Sequence, residues 1–291
     1  MRYVGNVIRP PSEASSLILQ VTTGCSHNAC RFCGAYPQQF SIKPMSEVVA
    51  DLDFFSSQGS ELGRRLFLAD GNALLCKTED LRTIIREARK RFPRLRRIAS
   101  YANARDVLRK SDEELKALAQ EGLKLVYIGL ESGDDRVLVR MNKGNTVSQS
   151  IEGVQRLQEA GIKASVMVLL GLAGAKEEES LDHARLTAEA VAEMQPRYLS
   201  CLTVMLIPGT PLAEDARQGR FEIPGPLAIL RELSVLIEKA ELRRTVFRAN
   251  HASNYLPLSG VLKRDKGRLL REIEDALAGE QPLMDEFFRA L

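Results

Sequence analysis

Leu17-Ile-Leu-Gln-Val-Thr-Thr-Gly-Cys25-Ser-His-Asn-Ala-Cys30-Arg-Phe-Cys33 decides the reading of this chain. A short apolar run bounded by a Thr-Thr-Gly turn signal is what a buried strand requires. Three of the five cysteines then follow within nine residues. Thiolates so close on one loop can wrap a soft metal. A 4Fe-4S cluster held by only three of them keeps one iron without a protein ligand, and an open position separates catalytic metals from structural ones. Structural zinc is the alternative, with His27 or a distant residue as fourth ligand, although only Cys30 and Cys33 make a Cys-x-x-Cys pair. Disulfide pairing has the least support, since nothing indicates a secreted protein. Cys76 and Cys201 are far apart in sequence and read as small buried apolar residues.

Composition narrows the class. With 291 residues and 44% apolar content, the chain can bury one large α/β core or two ordinary ones. Its 41 basic and 38 acidic residues nearly cancel, leaving +3, which disfavours nucleic acid and favours a small-molecule substrate. The segment from Met1 to Ile8 lacks the apolar core of a signal peptide, and Val166 to Leu172 is too short to span a bilayer. A cytoplasmic protein without a membrane segment is expected.

Outward from the cysteine loop, strand and helix patterns alternate. Met45, Val48, Val49, Leu52 and Phe55 fall on one helical face after Pro44. A strand at Arg65–Asp70 precedes a helix capped near Thr78 and ending near Arg91. Arg97–Tyr101 and Leu125–Leu130 are the next strands. Capping boxes at Ser111–Glu114 and Thr146–Gln149 open the helices that end at Gly122 and before Gly161. Strand five spans Ala164–Leu170, a helix Glu177–Met194, and strand six Tyr198–Ile207. Strands separated by helices pair in parallel through right-handed crossovers. Helices at Pro226–Ala240 and Lys263–Leu277, with an extended or looping stretch Thr245–Tyr255 between them, form an appendage.

Ligands of parallel α/β folds bind at the carboxyl ends of the strands. There this sequence places the cysteines, Asp70-Gly71-Asn72, Tyr101-Ala-Asn103, Glu131-Ser132-Gly133, Gly171 and Pro208-Gly-Thr210. Each has an ordinary reading beside the functional one. Asp-Gly makes turns, and Glu131 can either bind a ligand ammonium or ribose or cap the next helix.

In this order, the motifs resemble the radical S-adenosylmethionine (SAM) superfamily, in the branch of oxygen-independent coproporphyrinogen oxidase and the Elongator catalytic subunit. The resemblance covers most of residues 15 to 212. It implies a partial (β/α)6 TIM-like barrel of parallel strands, preceded by a segment at 1–14 and closed by a C-terminal helical extension at 213–291. It implies that Cys25, Cys30 and Cys33 hold a 4Fe-4S cluster whose open iron is chelated by SAM, with one residue more in the first spacer than the family's usual Cys-x3-Cys-x2-Cys. Reductive cleavage of SAM to a 5'-deoxyadenosyl radical follows, with electrons from an external donor such as flavodoxin or ferredoxin. Asp70, Gly71 and Asn72 stand where the family has Gly-Gly-Glu at the SAM amino group. Glu131 and Ser132 lie in the strand-four segment, and Leu169 and Gly171 in the strand-five segment beside adenine. Tyr101, Asn103 and, in the polar C-terminal stretch, Arg248, Asn250 and His251 are the candidates for orienting substrate. A zinc-stabilised binding module and a cluster used for electron transfer or sensing are the rival functions.

Overall fold

Short runs of leucine, isoleucine and valine alternate with amphipathic segments, and the computed structural model, which describes residues 3–59 and 63–289, turns the first into strands and the second into helices. Residues 1–2 and 290–291, the ends of the expected terminal segments, lie outside the described residues. Two compact units interleave along the chain. The first comprises Met1–Asn28, Ala35–Ile128 and Glu152–Ala164, the second Ala29–Gly34, Gly129–Ile151 and Ser165–Leu291.

In the first unit, β1 (Leu17–Gln20) leads into β2 (Thr22–Thr23), which pairs antiparallel with β3 (Ser41–Ile42). Then come α1 (Met45–Ser57), β4 (Arg65–Ala69), α2 (Thr78–Arg91), β5 (Arg97–Ala102), α3 (Ala104–Leu108), α4 (Asp112–Glu121) and β6 (Leu123–Glu131), whose last residues pass into the second unit. β1, β4, β5 and β6 pair in parallel, with Leu19 beside Leu68, Phe67 beside Ala99 and Tyr101 beside Tyr127. Leu66, Phe67, Leu68 and Ala69 are all buried, the continuous apolar strand expected when both sheet faces are covered. α2 buries Leu81, Ile84, Ile85 and Ala88 and carries Arg89, Lys90 and Arg91 in its last turn, where cations suit the helix dipole. Its N-cap position is Lys77 rather than Thr78. The Thr78 hydroxyl instead donates to Glu114 at 2.6 Å, a tertiary contact that outbids the cap. Ser111 and Glu114 form the expected capping box, and Gly122 ends α4 at φ +124°, a conformation glycine adopts without strain.

The second unit carries α5 (Asp135–Arg140) and the start of α6 (Val147–Glu159), with Thr146 and Gln149 exchanging the predicted cap bonds. β7 (Lys163–Leu170), α7 (Glu177–Met194), β8 (Tyr198–Thr203), α8 (Pro211–Arg217), α9 (Pro226–Lys239), β9 (Val246–Ala249), β10 (Leu258–Val261) and α10 (Leu262–Leu277) follow. β7, β8 and β9 are parallel, and β10 returns antiparallel to β9. Strand six thus ends at Thr203, four residues before the expected Ile207, because Thr210 turns the chain by capping α8. The appendage is also more than helical. Thr245 donates to the Pro196 carbonyl at 2.7 Å, which sets Val246 beside Tyr198, so the first part of the expected extended or looping stretch is the strand β9.

Candidate functional site

The cysteine loop crosses from one unit to the other, with Cys25 in the first and Cys30 and Cys33 in the second. In the first unit, the end of β4 meets the start of that loop. A Cβ on Gly71 would lie 2.9 Å from the Gly24 carbonyl and 3.0 Å from Cys25 Cα, so only glycine permits this approach. Asn72 Nδ2 donates to Ser26 Oγ at 2.8 Å and also to Asp106, while Asn103 Nδ2 reaches the same Ser26 Oγ at 3.1 Å. His27 Nδ1 lies 3.1 Å from an Arg105 nitrogen. Ser26 was not singled out from sequence, because the residues it joins stand 46 and 77 positions away.

Asp70 is fully buried. Its Oδ2 accepts from Gln20 Nε2 at 2.7 Å and its N–H donates to Thr22 Oγ1 at 3.2 Å, but its Oδ1 and the buried Oδ1 of Asn72 have no partner. Two orphaned acceptors at one strand end are costly and fit a polar ligand that donates to them. Burial pushes the Asp70 carboxyl up to about 6, against the lowering effect of the Gln20 hydrogen bond. A carboxyl raised in the folded state favours folding fully below its unfolded value and loses that contribution as pH climbs through about 6. Urea midpoints of the wild type are therefore expected to fall between pH 4 and 7 by an amount worth about 2 kcal/mol. In Asp70→Asn this component should disappear, and an unchanged slope would refute it.

Tyr101 packs edge-on to Phe67 at 5.1 Å and to Tyr127 at 5.8 Å, and burial raises its phenol. The neighbouring Tyr127 hydroxyl donates to the buried Glu13 at 2.6 Å.

In the second unit, the segment holding Cys30 and Cys33 is clamped by its main chain. Arg31 N–H donates to the Met141 carbonyl, Leu212 N–H to the Arg31 carbonyl and Asn142 Nδ2 to the Ala29 carbonyl, each at 2.9 Å. The Arg31 guanidinium pairs with Asp215, and Phe32 packs against a buried cluster that includes Val137, Met141, Leu172 and Leu212. Leu169 joins the same cluster, half-buried.

At the end of β6, Glu131 adopts φ +63° and its carboxylate pairs with Lys143 Nζ at 2.7 Å. The cap of α5 is Asp134, which accepts from Arg136 N–H at 2.8 Å, so Glu131 does not cap that helix. Ser132 Oγ accepts from Asp134 N–H at 2.9 Å, and Gly133 N–H donates to Thr187 Oγ1 at 2.9 Å. Gly171, at φ +80°, donates its N–H to Glu232 at 2.9 and 3.1 Å. Arg248 lies over the Tyr198 ring at 5.7 Å, Asn250 is exposed, and His251 Nδ1 accepts from Ser253 N–H at 3.1 Å, with desolvation lowering its imidazole. The buried part of that stretch serves β8. Ser253 accepts from Thr203 N–H, and Asn254 donates to the Cys201 carbonyl.

None of the five cysteines is in a disulfide. Cys76 and Cys201 are buried, and desolvation pushes Cys76 up to about 11 and Cys201 higher still, as suits inert core residues. Cys25 and Cys30 are partly accessible and Cys33 is exposed. Among the described residues no three His, Cys, Asp or Glu side chains form a ready-made metal pocket, so the fit rests on donor chemistry: three accessible thiols close in sequence and, in the first unit, strand-end acceptors without partners. The thiols suit a thiolate-ligated cluster, and the unpartnered acceptors suit a polar ligand that donates to them.

The fold is that of α/β enzymes whose ligands gather on loops after parallel strands. The family model described as Radical SAM superfamily matches residues 19–187, more than half of the chain, and the chain belongs to that superfamily. It is therefore a radical SAM enzyme by class, with a 4Fe-4S cluster and SAM as its cofactors. A tRNA-2-methylthio-N(6)-dimethylallyladenosine synthase from Hahella chejuensis is 24% identical over 285 residues, covering 91% of this chain and 59% of that protein. Coproporphyrinogen III oxidase (HemN) from Escherichia coli superposes with a TM-score of 0.57 at 18% identity, over 77% of this chain and 52% of that one. The Elp3 of Methanocaldococcus infernus gives 0.56 at 15% identity, over 92% and 64%. These likenesses show the fold, a partial TIM-like barrel, and agree with the expected branch. The chain spans between about three tenths and three fifths of the length of the curated relatives it matches. Among the described residues no helix is long and apolar enough to cross a membrane.

Proposed function

We propose that this protein cleaves SAM reductively at a cluster held by Cys25, Cys30 and Cys33, and turns the radical chemistry on a small-molecule substrate in the cytoplasm. The observation that carries the proposal is the trio of accessible thiols that follows β1 and β2, in a chain whose residues 19–187 match the superfamily. When bound, the cluster with SAM on its open iron supplies a one-electron reductive cleavage of a carbon-sulfur bond, the electron coming from an external donor of the flavodoxin or ferredoxin kind.

The chain's own residues bind and orient. The free Oδ1 atoms of Asn72 and Asp70 are the acceptors for the SAM ammonium, and Gly71 keeps their turn against Cys25. Glu131, held by Lys143, accepts from a ribose hydroxyl, and Ser132 fixes the turn beneath it. Leu169 offers an apolar wall to adenine, and Gly171 sets the direction in which β7 ends. Tyr101, Asn103, Arg248, Asn250 and His251 are the substrate-orienting candidates. Residues 15–212 form the catalytic core and 213–291 its closing extension. The near-neutral charge supports a small molecule over nucleic acid. Anaerobic reconstitution with iron and sulfide is expected to give a brown protein that forms 5'-deoxyadenosine from SAM and dithionite. A colourless protein holding stoichiometric zinc overturns the proposal.

A further inference from the structure

We infer that Glu232, in α9 of the C-terminal extension, is a positioning residue for the adenosine half of SAM, a role that rests on assigning Glu131–Ser132 and Leu169–Gly171 to that cofactor. Glu232 is fully buried. A carboxylate at such a place is costly unless donors surround it. Its oxygens accept the Gly171 N–H at 2.9 and 3.1 Å and the Ser180 hydroxyl at 2.6 Å, and His183 Nδ1 stands 3.0 Å away.

The peptide between Leu170 and Gly171 is thereby held at both ends. Val204 N–H donates to the Leu170 carbonyl at 2.9 Å, and the Gly171 N–H is spent on Glu232. That N–H is not available to a ligand, so recognition at this strand end falls to Leu169 and to the direction of the chain. α9 also stands directly against the turn, since a Cβ on Gly171 would meet Ile229 Cδ1 at 2.7 Å.

The same stretch of α7 anchors the other strand end. Gly133 N–H donates to Thr187 Oγ1, whose hydroxyl donates to the His183 carbonyl at 2.6 Å. Ser180, His183 and Thr187 thus tie the end of β6 and the end of β7 to one helix, and Glu232 closes the connection from α9. No contact between Glu232 and SAM is needed for this effect.

Equilibrium binding of 5'-deoxyadenosine and of methionine to the reconstituted holoenzyme separates positioning from general damage. Glu232→Ala is expected to weaken 5'-deoxyadenosine about tenfold, the worth of one lost charge-assisted hydrogen bond, and methionine less than about twofold. Glu232→Gln, which keeps an acceptor for Gly171 N–H, should recover all but about threefold of the loss. If the alanine variant does not fold, the glutamine variant carries the test alone, through the same selective weakening of 5'-deoxyadenosine. Equal loss for both ligands, or no loss for 5'-deoxyadenosine, overturns the positioning role. A wild-type holoenzyme that binds neither ligand overturns the SAM assignment beneath it.

Discussion

Replacing any one of Cys25, Cys30 or Cys33 with alanine is expected to remove the brown colour after anaerobic reconstitution and to abolish 5'-deoxyadenosine formation from SAM. A cluster that already has one iron without a protein ligand tolerates no further loss, since a second open iron exposes the core to hydrolysis and oxidation. The control lies within the same chain. Cys76→Ala and Cys201→Ala should bind as much iron as the wild type, because both thiols are buried and desolvation keeps them protonated, whereas thiolates are what bind metal. Iron and sulfide analysis together with the visible spectrum decide the matter. Full iron content in a loop-cysteine variant, or its loss in Cys76→Ala, would remove the assignment of the three ligands.

Gly133→Ala is expected to cost about 3–5 kcal/mol, a large part of the stability of an ordinary domain. An alanine Cβ would lie 2.4 Å from the Leu186 carbonyl oxygen, 2.4 Å from Thr187 Cα and 2.5 Å from Thr187 N. These are backbone atoms in the middle of α7, which packs on α9, so no flexible side chain can yield the space. The new methyl also threatens the Gly133–Thr187 hydrogen bond. Gly161→Ala is the comparison. That glycine has φ +84° but nothing within 4 Å of its missing Cβ, so only the backbone strain of about 1–2 kcal/mol is expected. Urea midpoints measure both. A Gly133→Ala protein within about 1 kcal/mol of the wild type would show that α7 can retreat. At the Glu-Ser-Gly end of β6 the glycine serves packing against α7.

The regular elements were legible because their causes are local. Ser111–Glu114 and Thr146–Gln149 form the capping bonds their spacing promises, and the apolar runs of β4, β6 and β7 become strands within two residues of their expected ends. The helices α3, α5 and α8 went unread, since five to seven residues are too few to show a helical period. Thr78 carries the sequence signal of a cap, but its hydroxyl serves Glu114, 36 residues further on, a partner that no local pattern records.

By itself the sequence determined the alternating architecture, the thiol-bearing loop near the first strand, and which residues follow β4, β5, β6 and β7. All of these depend on neighbours a few positions apart, through hydrophobic period, turn chemistry and thiolate spacing. Tertiary structure alone decided that Ser26 gathers Asn72 and Asn103, that Asp70 is buried with one oxygen unpartnered, and that Gly171 spends its N–H on Glu232. The last pair stands 61 residues apart, and no periodicity records which buried carboxylate will meet which strand end. Only the packing of α9 on α7 brings that carboxylate to its donors, because the cost of burying a charge is met by whatever donors the fold delivers there.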